Sequence, residues 1–278
     1  MAETGTLYIV ATPIGNLEDI THRAQRILHQ VDTIVAEDTR HTAHLLNHLN
    51  IKRPLIAYHA HNENDKTDFV LQMLMEGKDI ALVSDAGTPL VSDPGFPLVR
   101  AAQEANIPVV PLPGPCALIT ALSVSGLSPL PFYFAGFLSP KAGARMAALE
   151  ALKPMNATLI FYEAPHRLLE SAKSMEAVFG NRMACLAREL TKQFETVLRL
   201  PLNELVSRIE SDPNQQRGEA VLLIEGNAGS EDTGEADRVL SILLRELPLK
   251  QAVALCADIS GEAKNSLYEK ALLIKQSL

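Results

Sequence analysis

The sequence predicts an α/β protein with two α/β domains, the first built on a parallel, doubly wound sheet and the second on a mixed sheet, plus a small C-terminal helical unit. Three observations lead to this prediction. Strand-like apolar runs alternate with helix-like segments up to about residue 122. The run from Ile80 to Val83 has no polar alternation, which is typical of a strand buried on both faces. Gly/Pro loops follow three of the strands, so we expect one shared cleft.

The first domain is assigned to residues 1–122 from the regular alternation of its elements. Each helix connects two strands that run in the same direction, and this repetition favours helices on both faces of the sheet. The predicted strands are 7–11, 32–36, 54–58, 80–83 and 107–112, and the predicted helices are about 20–30, 40–49, 65–76, 96–105 and 118–122.

The second domain is assigned to residues 123–226, because the texture of the chain changes between 123 and 140, where we place a domain joint. The last three strands follow one another without long helical crossovers, so their sheet should be mixed. Residues 227–278 are assigned to an acidic, glycine-rich linker and a tail resembling a helix-turn-helix. The predicted strands are 158–162, 183–188, 195–200 and 220–224, and the predicted helices are about 141–152, 166–178, 202–210, 236–246, one from 248, and 263–275.

Composition and charge limit the classes of function. The start of the chain is polar and its apolar runs are short, which predicts a cytoplasmic protein with no signal peptide or membrane span. The net charge of −8 argues weakly against nonspecific nucleic-acid binding. Residues 137–230 carry no net charge, so a polyanion would more readily meet this middle segment. The scattered Cys116, Cys185 and Cys256 predict neither a disulfide framework nor a thiolate metal site.

The loop after the strand at 80–83 is the main candidate for ligand binding. It combines Ser84, Asp85 and Thr88 with a glycine and a proline, and neither common pyrophosphate-binding motif is present in the chain. Asp85 would repel a phosphate, whereas a carboxylate beside exposed backbone suits hydroxyl, ammonium or sulfonium groups. S-adenosylmethionine carries all three. The alternative is a structural turn whose aspartate caps a helix.

Two patterns of charged or titratable residues in the first domain could belong to a functional site, but each also has a purely structural explanation. His41, His44 and His48 lie at i, i+3 and i+7, but Glu37 and Asp38 are their only acidic partners at metal-ligand spacing, so no metal site is predicted. The segment 37–40, Glu-Asp-Thr-Arg, follows a strand and could face a ligand. A helix cap with an ion-paired arginine explains the segment equally well.

Cations and carboxylates are adjacent where two strands of the second domain end, in segments 162–167 and 188–192. Such pairs could orient a substrate phosphate and supply a general base, because removing a proton from a hydroxyl needs a basic group within hydrogen-bond reach. A surface network of ion pairs has the same appearance in sequence.

Taken in order, these motifs resemble a known family. They are similar to the bacterial small-subunit ribosomal RNA methyltransferases of type I, cytidine 2′-O-ribose methyltransferases within the tetrapyrrole methylase superfamily. The resemblance covers residues 5–226 and, more loosely, the tail. The motifs that carry it are GTLYIV (5–10), TPIGNL (12–17), AEDTR (36–40), HNE (61–63), LVSDAGTP (82–89), PLPGPCA (111–117), FYE (161–163), PHR (165–167) and RELTK (188–192).

The resemblance implies two α/β domains of the tetrapyrrole-methylase type, with S-adenosylmethionine between them, in a homodimer. It implies methylation of a cytidine ribose in the decoding region of 16S ribosomal RNA, hence a partnership with the small ribosomal subunit. The cofactor contacts that it implies are Pro13, Ser84, Asp85, Ala86, Thr88, Cys116, Ala117, Tyr162, Leu190 and Ala220.

The same reaction needs a base for the ribose hydroxyl and a positive surface for RNA. The candidates for base or orienting group are Glu163, Glu189 and Lys192. The expected RNA contacts are Lys141, Arg145, Arg167 and Arg188, with Lys192 beside them and Lys250, Lys264 and Lys270 in the tail.

Two rival functions remain: a tetrapyrrole-type methyltransferase acting on a small molecule, and a non-catalytic regulator that binds S-adenosylmethionine or RNA.

Overall fold

The computed structural model describes residues 4–227 and 233–276. Packing divides the chain into two compact units, residues 1–226 and 227–278. The larger unit holds two five-stranded sheets, each with its own layers of helices. The predicted pair of sheets, one parallel and one mixed, followed by a helical region, is confirmed.

The first sheet is entirely parallel, in the order β3-β2-β4-β1-β5. Two of its three interior strands, β2 and β4, are buried at every residue, as expected from their nearly continuous apolar sequences. The strands are β1 (Leu7–Val10), β2 (Thr33–Ala36), β3 (Leu55–Ala57), β4 (Ile80–Val83) and β5 (Val109–Leu112), and the helices between them are α1 (His22–Gln30), α2 (Thr39–His48), α3 (Glu63–Met75) and α4 (Phe96–Glu104).

The helices lie in pairs on opposite faces of this sheet. Apolar residues of α1 and α2, such as Leu28 and Leu46, pack in one core cluster with strand residues that include Ile34. On the other face, α3 and α4 pack Leu74 and Leu98 in a second cluster. The carboxyl ends of β1, β4 and β5 are therefore neighbours at one edge, where their loops can form a common site.

The start of β1 depends on a glycine without room for a side chain. A Cβ atom at Gly5 would lie 2.0 Å from the backbone oxygen of Lys78. We expect Gly5→Ala to lower the free energy of unfolding by about 1–3 kcal/mol, because the clash is with backbone and needs a main-chain shift. Gly143→Ala is the matched control, since a Cβ there meets nothing within 4 Å. Equal stability of the two variants in urea denaturation would contradict this prediction.

The second sheet is mixed, in the order β6-β7-β10-β8-β9, with only the β6–β7 pair parallel. The sequence analysis missed β6 and placed a domain joint there, because this edge strand contains a bulge at Phe134/Gly136 and is only partly buried. The strands are β6 (Phe132–Phe137), β7 (Thr158–Glu163), β8 (Met183–Arg188), β9 (Thr196–Pro201) and β10 (Ala220–Ile224), and the helices are α5 (Ala117–Val124), α6 (Ala142–Leu152), α7 (Leu168–Phe179) and α8 (Leu202–Ser211).

The two faces of the second sheet have different neighbours. On one face, Phe161 and Leu222 pack in a core cluster with residues of α6, α7 and α8. On the other face, Ile160 and Leu223 pack in a cluster with residues of α5 and with Ile14 from the loop after β1. This second cluster joins the two sheets, so the loops at the edge of the first sheet face the second sheet across a cavity.

The C-terminal unit is a cluster of three helices, α9 (Thr233–Glu246), α10 (Leu249–Ser260) and α11 (Lys264–Gln276). They share a small apolar core that contains Leu240, Cys256 and Leu267. Lys270, a tail residue expected to contact RNA, instead forms ion pairs with Asp237 and Glu262, each at 3.1 Å. Among the described residues of the whole chain, no helix is both long and apolar enough for a membrane span.

Candidate active site

A cavity of about 470 Å³ lies between the loops of the first sheet and one face of the second. We call it the first cavity. It brings together most of the residues expected to bind the cofactor, namely Asp85, Ala86, Thr88, Cys116, Ala117, Tyr162, Leu190 and Ala220. The other two, Pro13 and Ser84, line an adjoining second cavity of about 420 Å³.

Hydrogen bonds between loops fix one wall of the first cavity. The amide of Thr12 donates to the carbonyl of Gly87 at 2.9 Å, and the amide of Gly87 donates back at 3.0 Å. The Thr88 hydroxyl donates to the carbonyl of Pro115 at 3.0 Å. Gly87 has φ +82°, a conformation that suits glycine. The loops after β1, β4 and β5 are thereby held as one surface.

The segment from 88 to 95 carries a carboxylate, Asp93, into the same cavity. Two non-glycine residues beside it, Leu90 and Ser92, have φ values of 72°. Left-handed backbone at such residues is strained and concentrates at functional sites. The strained loop places Asp93 near Glu37 and Asp85, and we call these three residues the carboxylate cluster.

The carboxylate cluster is rich in negative charge. Burial raises the pKa of Asp93 to about 6, the charges of Glu37 and Asp85 act in the same direction, and a hydrogen bond with Ser84 opposes them. Burial, followed by the charge of Asp85, also raises the pKa of Glu37. Within residues 4–227 and 233–276, none of the three carboxylates forms an ion pair with Lys, Arg or His. The cluster is therefore suited to a cationic ligand.

The neighbouring segment 37–40 combines a helix cap with a residue of the site. Asp38 is the N-cap of α2 and accepts a hydrogen bond from the amide of Arg40 at 2.8 Å. The Arg40 guanidinium pairs with the same carboxylate at 2.9 Å, and this hydrogen bond lowers the pKa of Asp38 to about 2. The structural alternative is confirmed for Asp38 and Arg40, whereas Glu37 lines the first cavity.

Another part of the lining of the first cavity is apolar and aromatic. The Tyr162 ring lies edge-on to Phe134 and Phe137, with centroid separations of 4.7 and 5.6 Å. Its hydroxyl accepts a hydrogen bond from the amide of Leu118 at 3.1 Å. Burial raises the pKa of Tyr162 to about 12. Leu190, Ala220 and Val221 complete this surface. A ligand with a flat apolar end and a cationic end fits both walls.

Glu163 lines the first cavity, but other groups of the protein already bond to both oxygens of its carboxylate. Its side chain is 1% exposed and pairs with the Arg167 guanidinium at 3.0 Å. It also accepts hydrogen bonds from the amide of Ala164 and the hydroxyl of Ser171. Removing a substrate proton would require these contacts to break. The geometry favours a positioning role for Glu163 at the end of β7.

The other two candidate bases, Glu189 and Lys192, form an ion pair with each other. The Lys192 ammonium lies 2.9 Å from carboxylate oxygens of both Glu189 and Glu219. Burial favours the neutral form of Lys192, but these hydrogen bonds and charges prevail and raise its pKa. Burial of Glu189 acts upward, yet the hydrogen bonds from Lys192 and the Glu219 amide lower its pKa overall. Lys192 is held as a cation and Glu189 as an anion.

Two arginines expected to contact RNA are buried and bonded within the protein. The Arg145 side chain is 3% exposed and bonds to Glu170 and Ser174. Arg188 is buried and donates to the carbonyls of Arg217 and Phe194 and to the Thr196 hydroxyl. Their guanidinium groups cannot reach a phosphate without breaking these contacts. Lys141 is exposed, and Arg167 is partly accessible.

Asp93 is a charged site residue that the sequence analysis did not single out. The available signal was a repeated pattern: Ser92 and Asp93, followed by Pro-Gly, repeat the Ser84-Asp85 pair eight residues later. Loop conformation then brings both aspartates to one cavity.

Within the described part of the chain, no group of three His, Cys, Asp or Glu side chains has the arrangement needed to hold a metal ion.

Comparison with known proteins supplies independent evidence of the family to which the chain belongs. Residues 6–206 match the family Tetrapyrrole (Corrin/Porphyrin) Methylases, and residues 230–275 match the RsmI C-terminal HTH domain. A Pseudomonas aeruginosa protein named ribosomal RNA small subunit methyltransferase I is 56% identical over 96% of this chain and 97% of its own length. The protein of that name from Escherichia coli O157:H7 is 54% identical over 96% and 95% of the respective chains.

A solved structure supports the fold alone. The crystal structure of the methyltransferase CobJ aligns with a TM-score of 0.60 and 19% identity, covering 81% of this chain and 95% of that chain. The similarity spans most of both chains.

Proposed function

Because the chain belongs to the tetrapyrrole methylase family, in the group of the ribosomal RNA small subunit methyltransferase I proteins, we propose that it methylates ribosomal RNA of the small subunit. The specific reaction that we propose is transfer of a methyl group from S-adenosylmethionine to the ribose 2′-oxygen of a cytidine in the decoding region of 16S ribosomal RNA. The high identity to these relatives, over nearly the whole of both chains, supports the substrate class.

Methyltransferases of this family use S-adenosylmethionine, which supplies a methyl group on a positively charged sulfur. The observation that carries our proposal is the pairing of two unlike walls in the first cavity. The carboxylate cluster can balance the positive charges of the cofactor, and the surface around Tyr162 can hold its adenine. Backbone groups at Ala86 and Ala117 can bind its polar groups. The predicted cofactor residues therefore fit, with Glu37 and Asp93 added.

The protein contributes to the reaction by positioning and by charge. Transfer removes one positive charge from the cavity and frees one proton from the ribose hydroxyl. The carboxylate cluster is suited to take this proton, because its member Asp85 lines both cavities and so lies where a ribose and the cofactor would meet. Glu163, Glu189 and Lys192 act in this proposal by holding the loops at the cavity, since all three are already ion-paired.

The homodimer that the resemblance implies is also part of this proposal. Leu130 is 75% exposed, and its neighbours Phe132 and Tyr133 on the edge strand β6 are also exposed. An exposed group of large apolar side chains is typical of a surface that another chain covers. Light scattering of the purified protein should give twice the mass of the chain if this edge pairs two copies.

Methyl transfer to the small ribosomal subunit tests the proposed function. Subunits from a strain that lacks the modification would be incubated with the protein and S-adenosylmethionine carrying a labelled methyl group, and the RNA would be digested to nucleosides. We expect the label in 2′-O-methylcytidine. Label in another nucleoside would contradict the proposed specificity. Cofactor binding without transfer to subunits or free RNA would favour a small-molecule methyltransferase or a regulator.

A further inference from the structure

The second cavity adjoins the first and shares part of its lining. Ile14, Asp85, Ala86 and Glu219 line both cavities. A ligand in each cavity would therefore meet the other at this common wall. A group-transfer enzyme needs such an arrangement, because donor and acceptor must be held side by side for the reaction.

The walls of the second cavity come from four separate parts of the fold. They are the loop after β1, residues 84–86 after β4, His41 and His44 of α2, and the segments after β8 and before β10, which contribute Lys192 and Glu219. The amide of Asn16 donates to the Thr191 hydroxyl at 3.1 Å, which ties the β1 loop to the loop after β8.

A glycine allows this close approach between the two loops. A Cβ atom at Gly15 would lie only 2.4 Å from Cγ of Lys192, so the absence of a side chain lets the lysine pass. Thr191 has φ 65°, a strained conformation that the neighbouring contacts maintain. The second cavity is thus built by specific contacts between loops of the two sheets.

The chemistry of the lining favours a nucleoside over a phosphate. Lys192 already pairs with Glu189 and Glu219, so its charge is balanced within the protein. Asp85 adds a further carboxylate, which would repel a phosphate. Carboxylates can accept hydrogen bonds from ribose hydroxyls and from an exocyclic amino group. The planar imidazoles can stack on a nucleobase, as aromatic side chains do with unstacked RNA bases.

Helix α2 explains why two histidines of the sequence cluster line the cavity while the third does not. All three histidines lie on one face of the helix, so the difference is their position along its axis. His41 and His44 line the cavity, whereas His48 lies one turn further on, in the last turn of α2, and is not part of the lining. The three residues are all exposed, so none is required for the core.

We propose that the second cavity is the acceptor subsite, which receives one unstacked nucleoside of the RNA with its base against His41 and His44. This inference rests on the proposed function and assigns the substrate position within the same site. The ribose lies toward Asp85 and the common wall, and the neighbouring phosphates remain outside the cavity.

The test compares His41→Ala, His44→Ala and their combination with the matched control His48→Ala. Loss of base stacking should reduce single-turnover methyl transfer to small subunits by about 10-fold or more in the double variant. The affinity for S-adenosylmethionine, measured by calorimetry, should not change, and His48→Ala should behave as the wild type. Retained transfer in the double variant, or an equal loss in His48→Ala, would overturn the assignment while leaving the proposed function intact.

A binding measurement provides a readout independent of turnover. Histidine ring resonances would be followed by NMR while cytidine is added to the full-length protein saturated with S-adenosylhomocysteine. We expect shifts at His41 and His44, none at His48, and none at any of them with inorganic phosphate. Shifts caused by phosphate and not by cytidine would overturn the proposed ligand chemistry. Failure of the wild type to methylate subunits would count against the proposed function, whatever the NMR result.

Discussion

Replacing Asp93 with asparagine is expected to weaken the binding of S-adenosylmethionine about 10- to 100-fold, the range for losing a charged hydrogen-bonding partner. The same change should raise the thermal stability of the cofactor-free protein at pH 7.5. Both effects have one cause: Asp93 adds a negative charge beside Glu37 and Asp85. That charge attracts a cationic ligand but destabilises the folded protein when the ligand is absent.

The pH dependence follows from the direction of the pKa shift. The pKa of Asp93 is raised from 3.8 to about 6 in the folded protein, so the folded state binds a proton more tightly than the unfolded chain does. This contribution to stability is fully present below about pH 4 and is lost as the pH rises through 6. The stability advantage of Asp93→Asn should therefore be largest above pH 7 and should shrink toward pH 5.

Calorimetry at pH 5.5 and 7.5, together with thermal melts at the same pH values, measures both effects. Cofactor affinity in the wild type should fall at the lower pH, because protonation removes the charge that the ligand needs. The affinity of Asp93→Asn should depend less on pH. Asp68→Asn, at an exposed position of α3, is the control for a general change in charge. Wild-type affinity in Asp93→Asn would exclude Asp93 from the cofactor site.

Replacing Glu163 with alanine is expected to lower the free energy of unfolding by about 3–5 kcal/mol, the cost of breaking a buried ion pair from one side. The variant would leave Arg167 without its carboxylate and would remove the acceptor for the Ser171 hydroxyl and the Ala164 amide. Glu163→Gln should cost less, because the amide oxygen can still accept hydrogen bonds.

Urea denaturation compares these variants with Glu210→Ala, in which an exposed pair with Lys173 is lost. That control should change stability by only about 0–1 kcal/mol, because surface ion pairs contribute little. Single-turnover transfer by folded Glu163→Gln then distinguishes the two roles. A variant of wild-type stability with transfer abolished would indicate that Glu163 acts on the substrate rather than on the loop.

Most of the fold was predicted from local sequence patterns. Unbroken apolar runs such as that of β4 identified strands buried on both faces, and their alternation with helices indicated the doubly wound sheet. The edge strand β6 was missed although its sequence, FYFAGF, is apolar, because it directly follows a stretch rich in Ser, Gly and Pro and has a glycine inside it. For the site, the polar loops after β1, β4 and β5 showed which strand ends form the cleft.

By itself, the sequence of this protein determined the class of fold, the strand ends that carry the site and the residue types suited to a cationic cofactor. Only the tertiary structure decided the state of each charged group. Glu163, Arg145 and Arg188 have ordinary sequence contexts, yet the fold buries all three among bonding partners. Arg145 bonds to Ser174 and Arg188 to the carbonyl of Arg217, in each case 29 residues away in the chain. Within the described residues Asp93 forms no ion pair, and it lines the cavity together with Glu37 and Asp85. Burial and neighbouring charge set protonation and availability, and both depend on contacts that local sequence does not encode.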